Sequence, residues 1–330
     1  MLTYSIAIRT LGTGGQNYRR ELESIARQTV QPERVVVYIA QGYDVPPFRV
    51  GREEYVPVPK GMTAQRALPY HEIDSDCILT LDDDVELAPD AAERLLAAME
   101  SHGADCISPD TFGSCLMPPR QKLREALVGL VFPSRTRRKA SRLRRCGAVS
   151  YMSHPAPGSC HPSDRADGPA QLWRRRWLTG LRMADECWVE RDGFAYGEDT
   201  VLTHKVPVNG GRLFVYYDPA LALHLNSGNS SAAFRRGSRR MYIRTKNSFL
   251  IWWRCIYEPA PSVRTAAAFA GRTIWNLGVA AAAAVATLRP SMLSQFFTGL
   301  RDGIRFVRSA EYSAIPKYSL DNKPFPSTHQ

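Results

Sequence analysis

Short, wholly apolar runs that alternate with helical segments constrain this chain more than any other feature. Residues 35–39 and 77–81 are two such runs, and continuous apolar strands separated by helices indicate a parallel sheet covered on both faces. Ligands of such sheets bind where the strands end. Thr10, Gln41 and the segment 82–84 each follow a predicted strand, so we expect them to line one crevice.

Three consecutive carboxylates, Asp82-Asp83-Asp84, follow the apolar run that ends at Leu81. Adjacent like charges are costly unless a cation offsets them. Mg²⁺ and Mn²⁺ prefer carboxylate oxygens and also bind diphosphates, so the pattern predicts a site where a metal ion holds a diphosphate. The alternative is an acidic turn before the helix that begins near Pro89, because the positive end of a helix favours carboxylates.

The charge balance favours an anionic partner. The 330 residues include 43 Lys and Arg against 32 Asp and Glu, a formal net charge of +11. Ten of the basic residues lie between Arg120 and Arg145, where Glu125 is the single acid. This basic segment is predicted to be either a solvated loop or a surface that attracts phosphate groups. It lacks the interleaved aromatic residues that stack on bases, so no nucleic acid is expected as a partner.

The cysteines and the hydropathy pattern indicate a cytoplasmic protein. Seven scattered cysteines without a Cys-x-x-Cys pair suit reduced thiols, and the N-terminal stretch lacks a signal-peptide pattern. The most apolar window, 274–288, is interrupted upstream by Arg272 and ends at Arg289-Pro290. It is shorter than the roughly 20 residues that span a bilayer, so a spanning helix is disfavoured.

Four segments, in order, resemble the inverting glycosyltransferases of family 2, whose catalytic domain has the GT-A fold. They are the first strand with Arg9-Thr10 and the helix after it, residues 60–66, residues 81–84, and Gly197-Glu198-Asp199 followed by His224. The resemblance covers approximately residues 3–250. It implies an α/β fold: a single Rossmann-like domain of GT-A type, with a mixed, mostly parallel sheet flanked by helices, plus a C-terminal helical extension.

The same resemblance implies a division of the chain. The expected parts are a catalytic domain 1–257, made of a nucleotide-binding half 1–110 and an acceptor half 111–257 with a basic insertion at about 120–145, then a helical region 258–312 and a tail 313–330.

By resemblance, the aspartate run and two further residues bind the donor. Asp84 is then the metal ligand, for Mn²⁺ or Mg²⁺, and Asp82 contacts the ribose, while Asp83 either orients a neighbour or faces the sugar. Arg66 would add a phosphate contact; its alternative is a surface arginine on a helix. His224 would be a second metal ligand, since neutral imidazole binds transition metals; its alternative is a hydrogen-bonded core residue.

The resemblance places the acceptor beside Glu198-Asp199. Inverting transfer is one in-line displacement, which needs a general base for the acceptor hydroxyl and no enzymatic nucleophile. Asp199 is the expected base and Glu198 its neighbour; the alternative is an acidic pair stabilised at a helix N-terminus. Three nearby tryptophans could stack on sugar rings or pack in the core: Trp173, Trp177 and Trp188.

The chain also departs from the family pattern. Many members carry an acidic residue that reads the base after the second strand, whereas Gln41 stands here. Gln41 is expected to hydrogen-bond a base edge, and the nucleotide stays open. The segment 244–247 resembles a family element that contacts the diphosphate; a plain surface helix is the alternative.

The predicted function is that of a metal-dependent inverting glycosyltransferase. The donor would be a nucleotide-diphosphate sugar, and the acceptor a hydroxyl of a surface glycan that is expected to be lipid-linked. Two alternatives stay open: a sugar nucleotidyltransferase, faintly suggested by the glycines in 12–15, and a basic protein that binds membranes or nucleic acid.

The expected location of the enzyme depends on the last predicted helix. Its apolar residues recur at three- and four-residue steps: Met292, Phe296, Leu300, Ile304 and Val307. This helix either packs on the catalytic domain or lies in the cytoplasmic leaflet, with residues 279–288 and the basic surplus in support. The second case predicts a peripheral enzyme at the inner face of the plasma membrane.

Overall fold

The computed structural model describes residues 2–112, 135–136, 138–152, 155–225 and 239–320. Within them the strands are β1 Tyr4–Thr10, β2 Val35–Ala40, β3 Glu53–Val58, β4 Cys77–Asp82, β5 Val85–Leu87, β6 Cys106–Pro109, β7 Arg135–Thr136, β8 Ser141–Leu143, β9 Val149–Met152, β10 Ser159–Pro162, β11 Ala170–Arg174, β12 Leu213–Tyr217 and β13 Ala222–His224. The α-helices are α1 Gly15–Ala26, α2 Ala91–His102, α3 Arg175–Gly180, α4 Glu198–Val208, α5 Arg239–Trp252, α6 Val263–Ala286, α7 Ser291–Val307 and α8 Ala310–Ser313.

One mixed sheet organises the first 225 residues. Its strand order is β10-β12-β6-β11-β4-β1-β2-β3. The pairs among β4, β1, β2 and β3 are parallel, as is β12 with β6. Strand β11 is antiparallel to both of its neighbours, and β10 is antiparallel to β12. The expected fold class, a mostly parallel α/β sheet flanked by helices and followed by C-terminal helices, is confirmed.

Alternation along the central strands explains why helices cover both faces. Ile6 and Ile8 of β1 join the apolar cluster formed with α1 and α2, whereas Ala7 between them joins a second cluster with α3 and α4. Successive side chains of a strand point to opposite faces, so a wholly apolar strand needs a cover on each.

Two expectations about the first half are wrong in detail. The sequence pattern of residues 64–71 favours a short helix, but the structure has a single 3₁₀ turn, Ala64–Arg66, because Pro69 lacks an amide hydrogen and Tyr70 has a φ of 52°. Strand β3 was not predicted, since Pro57 and two glutamates weaken its pattern. It lies at the edge of the sheet, where proline is tolerated.

A short antiparallel ladder adjoins the carboxyl end of β4. Strands β5 and β13 pair so that His224 lies opposite Val85, and the Leu225 amide donates to the Asp84 carbonyl at 2.8 Å. The ladder therefore brings His224, distant in sequence, next to the end of the aspartate run.

The C-terminal helices pack on the domain and extend its core. Helices α5 and α7 contribute to a third apolar cluster, which also includes Val201 of α4. The expectation of a tail from residue 313 is wrong as far as residue 320. Tyr318 is 2% exposed, and the Leu320 amide donates to Asn209 Oδ1 at 2.7 Å. Residues 321–330 lie outside the described residues.

Among the described residues, α6 alone is long and apolar enough to cross a membrane, judged by length and composition only. Its most apolar window has a mean hydropathy of 1.2 and is 11% buried. A spanning helix was disfavoured because the apolar window 274–288 is short; the helix itself begins at Val263, well upstream of that window, so the argument from length does not hold. Most of the basic segment, residues 120–134 and 137, lies outside the described residues.

Candidate active site

A cavity of about 1080 Å³, part of it open to solvent, lies at the carboxyl ends of β1 and β4. Its lining combines polar residues of both halves of the domain: Arg9, Thr10, Gln65, Arg66, Asp82, Asp83, Asp84, Glu198, Asp199 and His224, among others. Eight of the nine predicted site residues are thus brought together. Gln41 is the exception: its side chain is exposed and does not line this cavity.

Asp82 is held by two arginines. Arg9 Nη2 lies 2.9 Å from Asp82 Oδ1, and Arg66 Nη2 lies 2.8 Å from Asp82 Oδ2. Burial alone would raise the pKa of Asp82, but Arg66 and Arg9 outweigh it and lower the pKa. Asp82 therefore stays ionised without a metal ion.

Asp83 turns back onto the first strand. The Thr10 hydroxyl donates to Asp83 Oδ2, and Thr10 Oγ1 accepts from the Gly12 amide at 2.8 Å. Burial raises the pKa of Asp83 to about 6, against the hydrogen bond from Thr10. Asp83 thus joins the turn after β4 to the end of β1 and the loop that follows it.

Asp84 and His224 form a pair at the cavity wall. His224 Nε2 lies 3.1 Å from Asp84 Oδ1. No cluster of three or more His, Cys, Asp or Glu ligands occurs among the described residues. One carboxylate and one imidazole nevertheless suit an ion such as Mn²⁺ or Mg²⁺ whose remaining ligands are phosphate oxygens and water. The donor set therefore fits a metal held jointly with a diphosphate.

The acidic pair begins helix α4. Gly197 precedes it with a φ of 85°, a backbone conformation that glycine adopts without strain, and the pair lies where the helix N-terminus favours negative charge. Arg66 faces both acids: its Nη1 is 3.8 Å from Glu198 Oε1 and its Nε is 4.0 Å from Asp199 Oδ1. Arg66 thus bridges the aspartate run and the acidic pair.

The two acids keep protons more readily than ordinary carboxyls. Burial and the nearby Asp199 raise the pKa of Glu198 to about 8. Burial also raises the pKa of Asp199, against the opposing charges of Arg66 and Arg165. A carboxyl whose pKa approaches neutrality can accept a proton from a substrate hydroxyl under physiological conditions.

Three residues that support Asp199 were not predicted from the sequence. Arg165 Nη2 lies 2.6 Å from Asp167 Oδ1 and 3.9 Å from Asp199 Oδ2. A Cβ on Gly168 would lie 2.1 Å from Asp199 Oδ1, so any larger residue there must displace the Asp199 carboxylate. These residues precede β11 in a segment rich in Pro, Ser and Gly, and only the antiparallel register of β11 brings them to the cavity.

The three tryptophans and the segment 244–247, each with two interpretations in the sequence, pack in or stabilise the fold. The three tryptophans 173, 177 and 188 are 1%, 3% and 9% exposed and belong to core clusters, which favours packing over sugar stacking. Lys246 pairs with Asp192 at 2.6 Å, and Asn247 Nδ2 donates to the carbonyls of Val189 and Tyr196. These contacts hold the loop before Glu198 and do not point to a diphosphate contact.

The central strand of this α/β sheet ends in carboxylates at a cavity that also contains the acidic pair Glu198-Asp199. This arrangement is the one expected of a GT-A-type glycosyltransferase. Residues 55–159, about a third of the chain, match the model of the family Glycosyl transferase family 2. Over these residues the resemblance drawn from the four motifs is confirmed. The match includes Arg66 and the aspartate run but ends before Glu198.

Several solved structures are similar at low identity. GalNAc-T7 with UDP, GalNAc and Mn²⁺ is 12% identical, with a TM-score of 0.49 over 79% of this chain and 51% of its own. The PcManGT mannosyltransferase from Pyrobaculum calidifontis, with GDP-Man and Mn²⁺, is 13% identical, with a TM-score of 0.46 over 92% and 87%. S. aureus TarS 1-349 is 13% identical, with a TM-score of 0.44 over 92% of both chains. The chain spans about half the length of GalNAc-T7, and no curated protein matches it.

Proposed function

We propose that this protein is a metal-dependent inverting glycosyltransferase that transfers a sugar from a nucleotide-diphosphate donor to a hydroxyl of a lipid-linked glycan. One observation carries the proposal: a single cavity holds the aspartate run on one side and Glu198-Asp199 on the other, joined by Arg66. Donor and acceptor can therefore meet between two groups of carboxylates with different environments.

The donor side would combine fixed charges with a divalent ion. Asp84 and His224 would hold Mn²⁺ or Mg²⁺, which when bound neutralises charge on the departing diphosphate. Asp82 is kept ionised by Arg9 and Arg66 and is available to a ribose hydroxyl.

Asp199 would take the proton of the acceptor hydroxyl as that oxygen attacks the sugar. Its side chain lines the cavity and is 24% exposed, so the carboxylate can be reached by a substrate hydroxyl. Arg165 and Arg66 stabilise the ionised form. Glu198 beside it also has a raised pKa, because of burial and the neighbouring Asp199.

Separate variants distinguish the two sides of the cavity. Asp84→Ala should abolish the Mn²⁺-dependent part of nucleotide-diphosphate binding. Asp199→Asn should leave that binding nearly intact and reduce transfer by about 100- to 10,000-fold, the usual worth of a general base. Calorimetry with nucleoside diphosphates and a turnover assay measure the two effects, with Asp74→Asn as a control because the Asp74 side chain is 91% exposed.

Two results would contradict these assignments. Equal loss of donor affinity in both variants would remove the division between donor and acceptor sides. Release of pyrophosphate, in place of a nucleoside diphosphate, would identify a nucleotidyltransferase.

We also propose that the enzyme works in the cytoplasm at the inner face of the plasma membrane. The apolar exposure of α6 and the net charge of +11 support this placement. Cofractionation with membranes that high salt reverses is the expected result, and a fully soluble protein that ignores anionic liposomes would contradict it.

A further inference from the structure

A second cavity lies among the C-terminal helices, away from the carboxylates of the active site. It encloses about 550 Å³, part of it open to solvent, between α5, α6 and α7. Its apolar walls include Phe269, Val279, Phe296 and Leu300. Val279 is 53% exposed and marks the outer edge of this helical groove.

Two arginines line the same groove. Arg272 donates from Nη1 to the Cys146 carbonyl at 3.1 Å, and Arg244 lies close enough to act on it electrostatically. Burial and the like charge of Arg244 lower the pKa of Arg272. No carboxylate in the described ranges forms an ion pair with either arginine. Arg272 is half-buried, whereas Arg244 is exposed at the rim of the groove. Two positive charges that line one groove without a neighbouring carboxylate attract an anion.

The surroundings of the groove favour an anion attached to an apolar chain. On the outer face of α6, Ile274 and Val285 are 71% and 76% exposed, and Phe297 at the start of α7 is 53% exposed. Large exposed apolar side chains of this kind are typical of surfaces that contact a lipid or another apolar partner. A free phosphate would use the arginines and leave the apolar walls of the groove without a partner.

The groove adjoins the loop that leads to the acidic pair. Asn247, three residues after Arg244 on α5, donates from Nδ2 to the Tyr196 carbonyl at 3.2 Å, and Tyr196 precedes Gly197 and Glu198. Residues three apart lie on the same face of a helix, so the polar end of a molecule held at Arg244 would lie next to this loop.

We propose that Arg244 and Arg272 bind the phosphate of a lipid-linked acceptor, whose hydrocarbon chain lies against the walls of the helical groove. The glycan then extends past Tyr196 to Asp199. Only this last step rests on the proposed function; the binding of a lipid phosphate by the groove stands without it.

Dodecyl phosphate, kept below its micelle concentration, tests the groove in the full-length protein. Calorimetry should show tighter binding of dodecyl phosphate than of dodecanol or inorganic phosphate. Arg244→Gln should weaken that binding about tenfold or more, the usual effect of losing a charge-assisted hydrogen bond. Arg301→Gln is the matched control, since Arg301 is 57% exposed and pairs with its neighbour Asp302.

The groove assignment fails if dodecyl phosphate and dodecanol bind equally, or if Arg244→Gln and Arg301→Gln behave alike. Arg244→Lys should restore part of the affinity, because it returns the charge without the planar donors. Melting temperatures of the variants exclude unfolding as the cause. Nucleoside-diphosphate binding is measured separately: its absence would overturn the proposed transferase and leave the groove result standing.

Discussion

The pKa values of neighbouring carboxyls in the active-site cavity are shifted in opposite directions. Arg9 and Arg66 lower the pKa of Asp82, whereas burial raises the pKa values of Glu198 and Asp199. Such separation assigns chemical roles to acids that look alike in a sequence. Asp82 provides fixed charge, and the acidic pair provides carboxyls that keep a proton to higher pH than ordinary carboxyls do.

Transfer should therefore depend on pH. Because a base must be unprotonated, turnover is expected to rise with pH as the acidic pair loses its proton. Glu198→Gln should move the midpoint of this rise to lower pH, since it removes the like charge next to Asp199. The pH profile of kcat measures both effects, and Asp74→Asn should keep the wild-type profile. A wild-type profile without a rise around neutrality would contradict the role of the pair.

Arg66→Gln should move the midpoint of the kcat pH profile to higher pH. Arg66 lowers the pKa of both Glu198 and Asp199, so its removal raises their proton affinity further, by about one pH unit or more. The midpoint is the decisive readout because Arg66 is also expected near the donor. An unchanged midpoint with only a raised KM would restrict Arg66 to donor binding.

At the scale of elements, strand β11 positions the acceptor side. It lies antiparallel between β4 and β6, and the Asp82 amide donates to the Pro169 carbonyl at 2.9 Å just before it. Arg9 Nη2 also donates to the Gly168 carbonyl at 3.0 Å. These two hydrogen bonds fix the turn before β11. A side chain at residue 168 would therefore displace Asp199 and not the turn.

Gly168→Ala should reduce turnover while the fold survives. The new methyl group would overlap Asp199 Oδ1, and rotation of that side chain displaces the base from its position. Gly278→Ala is the control: no atom lies within 4 Å of a Cβ there, and alanine in a helix interior should stabilise the fold by about 0.5–1 kcal/mol. Turnover and melting temperature are measured for both. Full activity in Gly168→Ala would show that the position of Asp199 is not critical.

Local pattern explains which elements could be predicted from the sequence. Strands β1, β2 and β4 are buried and mostly apolar, so they are visible in the sequence, and the carboxylates stand out by their clustering. Arg165 and Gly168 could not be predicted, because their position depends on how β11 inserts between strands distant in sequence. Gln41 follows its strand as predicted, yet its side chain is exposed and does not line the cavity. Strand ends alone do not fix side-chain direction.

At the scale of the whole molecule, one buried ionic cluster joins the acceptor half to the C-terminal region. Glu186 is 0% exposed, and its Oε1 lies 2.9 Å from Lys205 Nζ and 3.0 Å from Arg254 Nη2. Arg254 also donates to the Pro316 carbonyl at 2.6 Å. One set of buried charges therefore joins α4, the residues just after α5 and the C-terminal segment.

Glu186→Gln should destabilise the protein by about 3–5 kcal/mol, because it leaves two buried cations without their carboxylate. Asp185→Asn, on the same 3₁₀ helix, removes an exposed pair with Arg182 and should cost about 0–1 kcal/mol. Denaturant unfolding measures both.

The ionic cluster also predicts how stability changes with acid. Burial alone would raise the pKa of Glu186, but Lys205 and Arg254 outweigh it and hold it below the ordinary 4.5. The folded carboxyl thus binds its proton less readily than the unfolded one, so its stabilisation is complete above the ordinary pKa and is lost as the pH falls through the lowered value. Glu186→Gln should lack this component of the acid loss, whereas Asp185→Asn should retain it. Equal costs and equal acid profiles in the two variants would mean that the cluster does not hold the C-terminal region in place.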